Sequence, residues 1–159
     1  MHELAVAARD EDHCVAHLPG VLISSWAGNV KLEHVQALER CIPTLLHGSP
    51  GHRYAAISVI EPSITMRLED DARELSSSLQ KRWVNQTTRH AYLVEGTGFL
   101  PATVRTLTSG MHLMNRTPYP LRVFKDPLVL AGWIAEVADH LSPDLIASAI
   151  ARVRVGPSR

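Results

Sequence analysis

The sequence predicts an α/β fold with a mixed, mostly parallel sheet of about five strands, helices packed on it and an extra C-terminal helix. Two observations carry this prediction. Short runs rich in β-branched and aromatic residues alternate along the chain with longer stretches whose apolar residues recur at helical spacing. In addition, residues 54–60 form a nearly continuous apolar run, which is typical of a central strand covered on both faces.

The first half of the chain predicts a hairpin, a helix and this central strand. The two hairpin strands are short apolar runs on either side of Pro19-Gly20, a pair that favours a tight turn. The helix contains Pro43, which we expect to kink it or to end its regular part. The predicted elements are, in order, strands 13–18 and 21–26, a helix over about 31–47, and strand 54–60.

The second half continues the alternation of helices and strands. Asp126 and Ser142 each precede a proline, which is the signature of a capped helix start. The predicted elements are a helix over about 68–83, strand 91–94, a helix over about 100–114, strand 121–124, and helices over about 127–141 and 143–153. We therefore expect a single domain over 11–154, with flexible ends at 1–10 and 155–159.

Composition excludes several classes of function. The 16 basic and 16 acidic residues balance, so no overall positive field exists to attract nucleic acid. The N-terminus lacks the pattern of a signal peptide, and no stretch is long and apolar enough to span a membrane. Cys14 and Cys41 fit reduced, buried thiols better than a disulfide. We therefore expect a cytoplasmic protein.

No motif of a known catalytic chemistry is present, so we expect neither an enzyme nor a bound cofactor. The sequence contains no G-x-S-x-G or H-E-x-x-H pattern, and its acidic run at 69–71 fits the first turn of a helix. His13 and His17 invite a metal site, but on a strand their α-carbons lie roughly 13 Å apart. We interpret them as surface or edge histidines, and His47 and His52 as part of a flexible loop.

Two further segments leave alternatives open. Gly96, Thr97 and Gly98 lie between a predicted strand and a predicted helix, where free backbone N–H groups could bind an anion. Their alternative role is a tight strand-to-helix turn. Leu107 and Met111 could line a small-molecule pocket beside this segment, and their alternative role is ordinary core packing.

The order of elements over residues 12–141 resembles the STAS fold of sulfate transporters and anti-sigma-factor antagonists, especially a diverged bacterial branch of stand-alone sporulation-antagonist-like proteins. The segments that carry the resemblance are Trp26-Ala27-Gly28, the strand ending at Val59-Ile60, residues 91–99, and Arg122 to Asp126 leading into Trp133-Ile134. The resemblance implies a non-enzymatic regulatory module with a protein partner. It also implies a phosphoacceptor after the third strand, for which Ser63 is the candidate, although its surroundings lack the small residues and glycine of the family pattern.

The predicted C-terminal helix extends beyond the resemblance and has one apolar face. That face is formed by Leu145, Ile146, Ala149, Ile150 and Val153. Either the domain's own sheet and neighbouring helix cover it, or a second copy of the chain does so across a two-fold axis. We predict a homodimer in which these residues form the interface.

Overall fold

The structure is a computed structural model that describes residues 2–65, 67–96 and 117–156. Within them, six strands form one sheet whose spatial order follows the chain. The strands are β1 Ala5–Arg9, β2 His13–Leu18, β3 Val21–Trp26, β4 Tyr54–Ile60, β5 Thr87–Val94 and β6 Leu121–Phe124. The helices are α1 Leu32–His47, α2 Asp70–Arg82, α3 Pro127–Ala135 and α4 Pro143–Val153, and Pro50–His52 forms a 3-10 turn.

The pairing confirms the predicted fold class. β1, β2 and β3 pair in antiparallel fashion, whereas the β3–β4, β4–β5 and β5–β6 pairs are parallel. The sheet is therefore mixed and mostly parallel, with helices on both faces. The β2–β3 hairpin turns at Pro19-Gly20 as predicted, and Gly20 has a φ of 77°, a value that side-chain-bearing residues rarely adopt.

The strand β1 corrects the expectation of a flexible N-terminus. Ala5–Arg9 pairs with β2, so the sheet has six strands where about five were predicted. Asp10 fixes the turn into β2, because its carboxylate accepts hydrogen bonds from the backbone N–H groups of Asp12 and His13 at 2.8 and 2.9 Å. β1 is an edge strand with mostly exposed side chains, and it therefore lacks the buried alternation on which strand prediction depends.

Other boundaries differ from prediction in smaller ways. α1 runs through Pro43 without ending there, and β5 begins at Thr87, four residues earlier than predicted. The last two predicted helices correspond to α3 and α4, although α3 ends at Ala135. The helix predicted over about 100–114 lies outside the described residues.

The C-terminal helix α4 is part of the main core. It packs against α3 and against β2 and β3, on the face of the sheet opposite α1. Of the predicted dimer-interface residues, Leu145 is half-buried, and the remaining four are at most 2% exposed: Ile146, Ala149, Ile150 and Val153. The chain's own sheet and α3 therefore cover the apolar face of α4, and these side chains are not available to a second copy.

We predict that Ile150→Ala lowers the free energy of unfolding by about 2–5 kcal/mol, because it opens a cavity in this core. Ile150 is fully buried among the residues of α3, α4 and the sheet. The matched truncation Leu128→Ala removes a side chain that is 58% exposed, and it should change stability by less than about 0.5 kcal/mol. Urea unfolding of both variants measures the difference, and equal losses would contradict the assignment of α4 to the core.

Candidate functional site

The α1–α2 face of the sheet contains a cavity of about 240 Å³. Small side chains create this space, because Ser24, Ala56 and Ser58 occupy the middle of the face on β3 and β4. α2 packs chiefly against α1 rather than against the sheet, through contacts such as that of Ala72 with Val35. α1 and α2 therefore leave an unfilled volume between themselves and the sheet. Hereafter, "the cavity" denotes this space.

Polar side chains cross the sheet inside the cavity and bond to one another. Ser24 lies beside Ser58 in the β3–β4 register. The Ser58 hydroxyl lies 3.0 Å from Nε2 of His90, and the His90 ring stacks on Tyr92 at a centroid distance of 4.4 Å. Trp26 donates from Nε1 to the Ser24 hydroxyl at 3.0 Å. Ser24, Ser58 and the Trp26 indole therefore have hydrogen-bond partners within the protein.

The tyrosines of the cavity remain neutral at ordinary pH. Burial raises the pKa of Tyr92 above its usual range, and burial together with nearby Tyr54 raises the pKa of Tyr119 to about 12. Both side chains line the cavity, whose wall is otherwise mainly aliphatic. The phenols consequently contribute surface and hydroxyl dipoles, but no charge.

The loop between β4 and α2 forms the rim of the cavity, which we define as Ile64, Arg67 and Leu68. A parallel bridge between Val30 and Leu68 fixes this loop, and the Val30 N–H donates to the Arg67 carbonyl at 2.9 Å. Arg67 itself is exposed. Among the described residues that line the cavity, Arg67 is the one permanently charged side chain.

A second cluster of titratable groups lies where β2 begins. Nε2 of His34 lies 2.9 Å from Oδ2 of Asp10, and the buried His13 ring packs between His34 and Trp26 at centroid distances of 4.8 and 4.3 Å. Burial lowers the pKa of His13 to about 4, and repulsion from His34 adds to this effect. Burial acts to raise the pKa of Asp10, but hydrogen bonds from Asp12 and His34 outweigh it and lower the value.

This cluster contains a possible set of metal ligands, because atoms of Asp10, Glu33 and His34 lie within 4.8 Å of one another. The hydrogen bonds argue against that use. The Lys31 N–H donates to Nδ1 of His34 at 3.2 Å, so the ring proton resides on Nε2 and is donated to Asp10. A metal on Nε2 would move the proton to Nδ1, where it would face another donor. The cluster therefore fits a cap of α1.

The four histidines singled out in the sequence are not among the described lining residues of the cavity. His13 is buried, which corrects its interpretation as a surface or edge residue. Its ring is covered by His34 of α1. His17 also lies on β2 and is half-buried. His47 and His52 are exposed near the end of α1, where the His52 ring contacts the Leu46 carbonyl at 3.2 Å.

Ser63 lies in an exposed turn directly after β4. It does not begin a helix, because α2 starts seven residues later at Asp70. The structure thus places Ser63 at the predicted end of the sheet but without the N-terminal helix dipole that would stabilise a phosphate. Its role as a phosphoacceptor remains a prediction.

Gly96 ends the described part of the predicted anion-binding segment. It has a φ of 101°, and its α-carbon faces Pro62 in the neighbouring loop, consistent with a tight turn after β5. Thr97 and Gly98 lie outside the described residues. Leu107 and Met111, the predicted lining of a pocket beside them, also lie outside. The cavity instead involves α1, α2 and the sheet.

Sequence reasoning missed the buried carboxylate of Glu61. It accepts hydrogen bonds from the Ser25 hydroxyl at 2.7 Å and from the backbone N–H groups of Val155 and Gly156 at 3.0 and 2.9 Å. These bonds hold the chain after α4 against the end of β4, so residues 155 and 156 are not part of a flexible end as predicted. A second contact, between Arg154 and Glu95 at 2.7 Å, supports the same segment.

Comparison with solved structures identifies the fold. The chain is similar to an uncharacterised protein from the DUF3478 family with a SpoIIAA-like fold, from Shewanella loihica PV-4, with a TM-score of 0.55 and 17% identity. The match covers 84% of this chain and 95% of the other. No protein-family model and no curated protein matches the sequence. The chain therefore has the predicted STAS-like fold, and this likeness shows the fold alone.

The helices of the structure are short relative to the thickness of a lipid bilayer. Within the described residues, none is both long enough and apolar enough to cross a bilayer.

We predict that His13 makes folding sensitive to mild acid. Its folded pKa of about 4 lies below the unfolded value of about 6.5, so the unfolded chain binds a proton first as the pH falls. The resulting loss of stability begins near pH 6.5 and reaches about 3 kcal/mol near pH 4. Urea unfolding at pH 7 and pH 4.5 should show a smaller loss for His13→Phe than for the unaltered protein. The exposed control His47→Phe should retain the full loss.

Proposed function

We propose that this chain is a non-enzymatic regulatory module of STAS-like type that binds one small, largely apolar molecule in the cavity. The observation that carries the proposal is the cavity itself. Protein interiors leave few voids larger than a water molecule, whereas this space measures about 240 Å³ and opens at an exposed rim. Its mainly aliphatic and aromatic wall with a few fixed polar groups is the pattern of a ligand site.

The arrangement of the Ser58–His90 pair supports a non-enzymatic role. A hydroxyl 3.0 Å from an imidazole resembles a nucleophile and its base. Ser58 lies within β4, which pairs with a strand on each side, so neighbouring N–H groups are engaged in the sheet rather than free to stabilise an oxyanion.

Filling the cavity should abolish ligand binding. We expect octan-1-ol, at a hundredfold excess over its dissociation constant, to raise the Tm of the unaltered protein by about 5–10 °C. Ala56→Phe places a ring in the cavity and should remove this shift. The matched control Ala151→Phe adds the same ring at an exposed position on α4 and should retain it. If octan-1-ol gives no shift, or gives the same shift with Ala56→Phe, the ligand-binding function is wrong.

A protein partner is the second candidate function, and we propose a second copy of this chain as that partner. Three large apolar side chains are exposed on α3 and the turn after it: Leu128 and Val129 at 58% each, and Val137 at 40%. The α4 residues first predicted as the interface are buried, so the α3 surface takes their place in the proposal.

The proposed location of the protein is the cytoplasm. The two buried free thiols, Cys14 and Cys41, fit the reducing conditions of that compartment.

We expect the full chain to be dimeric by light scattering at micromolar concentration, and Leu128→Asp to make it monomeric. A carboxylate in the first turn of α3 is compatible with the helix dipole, so this change should leave the fold intact. Val6→Asp introduces the same charge at another exposed apolar residue, on β1, and should leave the dimer intact. A monomeric full chain, or a dimer that persists with Leu128→Asp, would contradict this interface.

A further inference from the structure

The inner part of the cavity favours an apolar ligand body. Ser24 and Ser58 already have hydrogen-bond partners in Trp26 and His90. A ligand placed against them therefore leaves no polar group of that pair unsatisfied, and it gains little from polar atoms of its own. The surrounding wall is mainly aliphatic and aromatic, so most of the affinity must come from buried apolar surface.

The rim favours an anionic group. Arg67 has no ion pair with any described residue, and it is the one permanent charge among the described lining residues. The acids that follow it in sequence have other contacts: Asp70 pairs with Arg73 at 3.5 Å, and Glu69 accepts from the Leu32 N–H at 3.4 Å. A guanidinium presents two parallel N–H donors, which match the two oxygens of a carboxylate.

The volume limits the size of the ligand. A cavity of about 150 Å³ accommodates benzene, so the measured 240 Å³ corresponds to about ten non-hydrogen atoms. Arg67, the one permanently charged side chain among the described lining residues, neutralises one negative charge. Length and charge together therefore describe a short molecule with one ionised end.

We infer that the cavity binds a small amphiphilic monoanion of about ten non-hydrogen atoms, with its apolar body against β3, β4 and β5 and a carboxylate-type head on Arg67. This inference rests on the proposed ligand-binding function and specifies its chemical class. Arg67 is the specificity-determining residue, because it distinguishes the charge of the head, while the cavity wall distinguishes the size and polarity of the body.

Three probes with the same eight-carbon chain test the inference: octanoate, octan-1-ol and octylammonium, each titrated by calorimetry at pH 7.5. We expect octanoate to bind about five- to tenfold more tightly than octan-1-ol, and octylammonium to bind most weakly. Arg67→Gln should remove the preference for octanoate and leave octan-1-ol unchanged. Arg67→Glu should reverse the order, so that octylammonium binds more tightly than octanoate.

Arg53→Gln is the matched control, because Arg53 is exposed and is not among the described lining residues of the cavity. It should retain the order of the three probes. Equal binding of octanoate and octan-1-ol by the unaltered protein would overturn the inference while leaving the ligand-binding function intact. An octanoate preference that survives Arg67→Gln would also overturn it. Failure of octan-1-ol to bind would overturn the proposed function and the inference together.

Discussion

The pairing of β4 with a parallel strand on each side is the constraint on which the rest of the structure depends. Because side chains alternate between the faces of a strand, this pairing assigns Ala55, Ile57 and Val59 to the face covered by α3 and α4. It assigns the intervening residues, among them Ala56 and Ser58, to the α1–α2 face. One register thus decides both which residues form the main core and which line the cavity.

The two faces of the sheet differ in how completely they are packed. On the α3–α4 face, large aliphatic residues of the sheet meet the apolar stripe of α4, and the space is filled. On the other face, small residues at the middle of β3 and β4 meet a helix pair that packs largely on itself. A cavity costs packing energy wherever it is left in a protein. The filled face supplies the core that offsets this cost.

The sequence patterns predicted the strands and helices that are determined by their own local residues. They missed the features that depend on contacts between residues far apart in the chain. The β2–β3 hairpin and β4 were predictable from β-branched runs and the Pro19-Gly20 turn. The edge strand β1 was not predictable from the sequence. Its side chains are mostly exposed, and only its backbone pairing with β2 defines it as a strand. The role of Glu61 depends on Val155 and Gly156, almost a hundred residues away. The sequence contained one signal of the cavity, namely small residues at alternate positions of a strand, as at Ala56 and Ser58 of β4.

The rim of the cavity and the end of the chain both depend on the segment that follows β4. Glu61 holds the residues after α4 through two backbone N–H groups, and the same segment continues to Arg67, which the bridge at Leu68 ties to Val30. One end of this loop is thus fixed to the filled face and the other to the cavity face. Because the attachment at Arg67 uses its backbone carbonyl, the Arg67 side chain can change without loss of this contact. The loop can therefore accept different rim charges on a constant fold, so the proposed selectivity at this position is separable from stability.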